Sequence, residues 1–128
     1  MIVGVLKERK TGEHRVAITP AGVEVMKHHG QTVLVESGAG AASGFADGEY
    51  AAAGAEIVAS AATLFHQADM LLQVKEPQAS EYRHLRQGQV YFAYLHLASS
   101  PAVARALLAA GTVGIDYFPG KKQSSAQA

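Results

Sequence analysis

Cysteine and tryptophan are absent from this chain of 128 residues, and neither sign of charge is in surplus. Without a thiol there is no disulfide framework, no thiolate zinc site and no cysteine nucleophile. Eleven Lys+Arg residues balance eleven Asp+Glu residues. That balance disfavours a strongly basic nucleic-acid binder, although a local patch stays open. No apolar run approaches the ~20 residues that span a bilayer. The opening Met-Ile-Val-Gly-Val-Leu-Lys-Glu sets apolar residues ahead of any positive charge, the reverse of a secretory signal. A soluble, cytoplasmic protein without membrane partners is therefore expected. The six histidines show no His-x-x-x-His spacing, so no metal site is expected.

What is present is a globular composition, 48% hydrophobic and 17% charged in 13.4 kDa. Area scaling leaves roughly 6,500 Å² exposed of about 19,000 Å² in the unfolded chain, enough burial for one domain without staples. Short apolar runs alternate with helical patterns. Residues 2–6, 32–36, 56–58, 70–74, 89–95 and 113–118 read as strands, continuous rather than alternating, as in parallel sheets covered on both faces. Residues 15–18 suggest a further short extended piece. Thr19-Pro20 and Ser100-Pro101 place a hydroxyl cap before a proline that needs no donor, a helix start in each case. The first helix stops at Gly30, the second near Gly111. Asp47 and Ser60 are candidate caps for two shorter helices, and residues 80–86 form a turn with a short helix. Strand-helix alternation at this spacing predicts an α/β fold, a doubly wound and mostly parallel sheet of Rossmann-like or flavodoxin-like type. Residues 119–128 are small and polar and are expected to be a flexible tail.

In open α/β sheets ligands bind beyond the carboxyl ends of strands, which directs attention to three residues. Arg15 offers a planar fork matched to a carboxylate; the blander reading is a solvated side chain or an ion pair with Glu8 or Glu13. Lys75 follows the apolar run 70–74 and can hold an anionic or carbonyl group; the blander reading is a lysine marking the exit from the sheet. His96 follows residues 91–95 and can transfer protons near neutrality, or it is simply a half-buried histidine satisfied by backbone. The loop Gly38-Ala39-Gly40-Ala41-Ala42-Ser43-Gly44 approaches a dinucleotide fingerprint. Its third glycine comes one residue late, and no long apolar helix starts at it, so a loop of close backbone approach is preferred over a nucleotide site.

These residues lie within an ordered series of motifs: Met1-Ile-Val-Gly-Val-Leu-Lys-Glu, Glu13-His-Arg-Val-Ala-Ile-Thr-Pro-Ala-Gly, Val35-Glu-Ser-Gly-Ala-Gly, Tyr50-Ala-Ala-Ala-Gly-Ala-Glu-Ile-Val, Val74-Lys-Glu-Pro and Tyr94-Leu-His-Leu-Ala. From residue 1 to about 117 the chain resembles the N-terminal, substrate-side domain of alanine dehydrogenase. The soluble subunit of nicotinamide nucleotide transhydrogenase is the related alternative. Lys75-Glu76-Pro77 and Tyr94-Leu95-His96-Leu97 favour the dehydrogenase. The resemblance implies reversible NAD-dependent oxidative deamination of L-alanine to pyruvate and ammonium. It assigns Arg15 and Lys75 to substrate binding and His96 to acid–base catalysis, with Glu8 and Glu13 as candidates to position Arg15. Family enzymes carry a second domain with the NAD fold. This sequence stops before it, so the chain is expected to be an incomplete substrate domain (1–118) that binds NAD weakly and is inactive alone. A self-associating or small-anion-binding module is the other reading. The implied partners are pyruvate and L-alanine, with a homo-oligomer possible.

Overall fold

The computed structural model describes residues 1–97 and 99–116. Within them lie β1 (Ile2–Val5), α1 (Pro20–His28), β2 (Thr32–Glu36), α2 (Asp47–Ala52), β3 (Glu56–Val58), α3 (Ala61–Gln67), β4 (Met70–Lys75), β5 (Val90–Tyr94), α4 (Pro101–Ala110) and β6 (Val113–Asp116). Two 3₁₀ segments, Ala41–Ser43 and Ala79–His84, interrupt the loops. The strands form one sheet in the order β3-β2-β1-β4-β5-β6, every neighbouring pair parallel. This is the doubly wound α/β architecture that the strand-helix alternation predicts.

The strand order decides which face each helix covers. From β1 to β3 the chain steps one way; at β4 it returns past β1 and steps the other way. Right-handed crossovers then put α1 and α2 on one face and the later helices on the opposite face. Two cores result. Val5, Val33 and Val35 pack with Val23 of α1 and Tyr50 of α2. Leu6, Leu71, Tyr91 and Ala93 pack with Leu64 and Phe65 of α3 and with Val103 and Leu107 of α4. At about 25 cal/mol per Å² of apolar surface, these fully buried side chains each contribute about 1.5–3 kcal/mol.

Local signals explain most boundaries. Thr19 caps α1, its Oγ1 accepting the Gly22 amide at 3.2 Å, and Pro20 opens the helix. Gly30 and Gly111 take left-handed φ of 84° and 71° just beyond α1 and α4, where a side chain is strained. Three local expectations differ from the structure. Residues 15–18 join no ladder; the segment is held instead by Tyr50, whose hydroxyl donates to the Ile18 carbonyl at 2.8 Å. Asp47 is the first residue of α2 rather than its cap. Its carboxylate accepts from the Ser37 hydroxyl and the Gly38 amide, both at 2.8 Å, while Glu49 accepts the Ala46 amide. Ser60 and Ser100 stand at cap positions without a side-chain capping bond. The end of the last strand at residues 117–118 and the tail at 119–128 lie outside the described residues.

Candidate functional site at the strand-order reversal

β1 and β4 are neighbours whose following connections leave in opposite directions, and this opens a crevice beyond their carboxyl ends. The segment after β1 carries Lys7, Glu8, Arg9, Lys10, Glu13 and Arg15, and β4 ends on Lys75 with Glu76 and Pro77 behind it. Charged side chains from two strands therefore converge there.

Arg15 is exposed at this mouth and held by Glu13. Its Nε and Nη2 each donate to one Glu13 carboxylate oxygen at 2.9 Å, and its backbone amide donates to the same carboxylate at 2.8 Å. The fork is thus used in the geometry that a carboxylate ligand would take. The Arg15 hydrogen bonds, with the Lys75 charge as a smaller cause, bring the Glu13 carboxyl down to about 2. Of the two acids expected to pair with Arg15, Glu13 does so. Glu8 does something else.

Lys75 owes its register to an irregularity. Leu72 registers with Phe92, but Lys75, three residues on, registers with Tyr94, only two residues on. One extra residue in β4 is a bulge. It brings Lys75 into register with Tyr94, which lines the same cavity as Arg15. In unbroken alternation Lys75 would share the face of Leu71 instead. The Glu8 carboxylate accepts the amides of Val74 at 2.8 Å and Lys75 at 3.1 Å. Burial pushes the Glu8 carboxyl up to about 7, opposed by these two amides and aided by the charges of Glu13 and Glu81.

His96 follows β5, beside the end of β4, and is half-buried. It is the one non-glycine described residue with positive φ, 54°. Such backbone is costly for a side chain and gathers at functional sites. The Ser99 amide and hydroxyl donate to its carbonyl at 3.0 and 3.3 Å, and Asp116 accepts the preceding Leu95 amide at 3.1 Å. Arg15 holds Glu13 by hydrogen bonds, and the Lys75 charge acts on the same carboxylate. Among the described residues, no hydrogen bond or ion pair joins His96 to either.

Beside the charged mouth lies an apolar cavity of about 650 Å³. Its floor is Met70, Leu72, Phe92, Tyr94 and Ile115 of the sheet; its walls include Val16 to Thr19, Met26 and Phe45.

The glycine loop does not fit a dinucleotide. The amides of Ala39, Ala41, Ser43, Gly44 and Phe45 donate to carbonyls within residues 36–45, and Asp47 takes the Gly38 amide. A Cβ at Gly40 would lie 2.6 Å from the Tyr50 ring and 2.9 Å from Phe45, so the protein's own side chains fill that approach. The helix that follows opens with Asp47 and carries Glu49 in its first turn, acids where a pyrophosphate needs positive potential.

Sequence reasoning missed two features behind this mouth. Glu36 is buried and accepts the Lys7 amide at 2.8 Å and the Arg9 guanidinium in a two-pronged pair. Gln73 accepts the Tyr91 hydroxyl and donates to the Lys7 carbonyl at 3.3 Å. Both brace the chain where β1 ends. An acid closing a strand and a glutamine inside an apolar run were the available signals.

The fold defines a doubly wound α/β domain, with charged side chains gathered at its strand-order reversal. The family model described as alanine dehydrogenase/PNT, N-terminal domain, matches residues 4–127, and the chain belongs to that family. It is 50% identical over 117 residues to the alanine dehydrogenase of Methanococcus maripaludis, covering 91% of this chain and 31% of that protein. The alanine dehydrogenase of Mycobacterium tuberculosis is also 50% identical over 117 residues, 91% of this chain and 32% of that protein. The chain thus spans about a third of the length of these curated relatives. A solved L-alanine dehydrogenase superposes with a TM-score of 0.89 at 37% identity, over 95% of this chain and 35% of that one. A transhydrogenase from Sinorhizobium meliloti superposes at 0.84 and 34% identity, over 91% of this chain and 34% of that one.

Proposed function

We propose that this domain is the substrate-binding side of an NAD-dependent L-alanine dehydrogenase. The observation that carries the reading is that the Arg15 fork and the Lys75 charge both act on Glu13 where β1 and β4 end. Arg15 takes the carboxylate of pyruvate or L-alanine from Glu13. The Arg15 side chain is 62% exposed, so its fork is within reach of a ligand. The Lys75 ammonium donates to the 2-oxo oxygen and favours charge on it, while His96, at the adjoining strand end, exchanges the proton as C2 changes hybridisation. The glycine loop, filled by the protein's own side chains, offers NAD no cradle; in this reading the cofactor binds elsewhere in the complete enzyme. A cytoplasmic setting and a homo-oligomer belong to the same proposal. Among the described residues no helix is long and apolar enough to cross a membrane.

Titration calorimetry with pyruvate tests the reading. The chain should bind it weakly, Lys75→Ala and Arg15→Ala should each reduce affinity about tenfold or more, and the chain alone should not oxidise NADH with pyruvate and ammonium. Binding indifferent to both substitutions would refute the assignment.

A further inference from the structure

The Glu8 side chain spans the crevice from β1 to β4 at the point where the strands part. The last backbone bond between them is Leu6 N–H to the Leu72 carbonyl at 3.2 Å. Beyond it β4 bulges against β5, and a bulged strand leaves amides without ladder partners. Val74 and Lys75 supply two such amides, and each donates to one oxygen of Glu8. Val74 and the register partner of Lys75, Tyr94, both line the cavity that Arg15 lines.

We propose that Glu8 is a positioning residue: by accepting both bulge amides, its carboxylate locks β4 in the register that sets Lys75 opposite Tyr94 at the end of the strand. The proposal rests on the reading of Lys75 as the group that meets the ligand's carbonyl oxygen, and it adds what holds Lys75 there. Stability alone does not account for a carboxylate at this place. Burial raises its proton affinity, and the acids Glu13 from the loop and Glu81 from the 3₁₀ segment act in the same direction. Arg15 is the cation that feels the Glu8 charge from the loop, and the Tyr91 hydroxyl feels it from β5. What the carboxylate gains against these costs is the pair of amide hydrogen bonds, which fix backbone geometry. Ionised, Glu8 accepts at both oxygens. Protonated, one oxygen becomes a donor and one bulge amide loses its acceptor.

The test compares wild type with Glu8→Gln, which keeps the shape and one acceptor but turns an NH₂ group toward the second amide. Amide shifts of Val74 and Lys75, followed by NMR from about pH 5 to 9, should move together in wild type with one midpoint near 7. That transition should vanish in Glu8→Gln. Pyruvate affinity at about pH 8 should fall about tenfold in the variant, and the acid-side decline seen in wild type should flatten, while the melting temperature holds or rises. Amides that ignore pH, unchanged affinity, or affinity and melting temperature falling together as for a purely structural residue would each overturn the proposal. If wild type binds no pyruvate, the functional reading fails; the two amides then decide whether Glu8 holds the bulge.

Discussion

At the scale of single residues, two glutamates after one strand behave in opposite ways. Glu13 is itself covered, its side chain 6% exposed beneath the exposed Arg15 fork, and its carboxyl is held near 2; Glu8 is half-buried and its carboxyl is pushed to about 7. Their linkage to folding differs in sign. The folded state binds the Glu8 proton more tightly than the unfolded chain, whose value is 4.5. Stability from this group is therefore complete below about 4.5 and is lost as pH rises through 7. After discounting for solvent screening of a half-exposed group, the loss is about 1–2 kcal/mol. Melting temperatures across this range should fall in wild type and stay flatter in Glu8→Gln. Glu13 contributes in the other direction, with stability present above about 4.5 and lost toward 2. Its larger effect concerns the ligand. Glu13→Gln frees the Arg15 fork, and calorimetry should show pyruvate binding up to about fivefold tighter at neutral pH, the equivalent of roughly 1 kcal/mol.

At the scale of elements, the segment between β1 and α1 is irregular, yet it carries Arg15 and two cavity walls. Its anchors are tertiary. Tyr50 is fully buried in α2 and ties the Ile18 carbonyl; the Ser43 hydroxyl ties that of His14 at 2.7 Å. Tyr50→Phe should cost about 1 kcal/mol in chemical denaturation and speed hydrogen exchange at residues 15–18, with the sheet core unaffected. The glycine loop packs onto the same tyrosine. Gly40→Ala would set a methyl 2.6 Å from its ring and should destabilise by about 1–3 kcal/mol, with any gain in nucleotide binding counting against the packing role assigned to that glycine.

At the scale of the whole molecule, the strand-order reversal creates both the crevice and its apolar neighbour. Because α1 and α2 serve the β1–β3 half, their face of β4, β5 and β6 has no helix over it among the described residues. Val113 and Ile115 are 51% and 41% exposed on the edge strand, and an apolar patch beside an open edge favours association. Sedimentation should show a mass that rises with concentration, and Ile115→Lys should return the chain toward monomer. Unchanged sedimentation in the variant would remove that face from any self-association.

Sequence alone determined the elements and their order. Continuous apolar runs, Thr19-Pro20, Gly30 and Gly111 act over a few residues, so strand, cap and stop were legible as local chemistry, and crossover handedness turned them into a parallel sheet. It also placed Arg15, Lys75 and His96 at or near strand ends. Only the tertiary structure decided their partners. That Asp47 reaches back to Gly38 rather than capping its helix, and that Glu8 spans to Val74 and Lys75 rather than pairing with Arg15, depend on residues 9 to 67 positions apart. The β4 bulge was equally hidden, because register belongs to a pair of strands, and a shift of one residue there changes the face on which Lys75 stands.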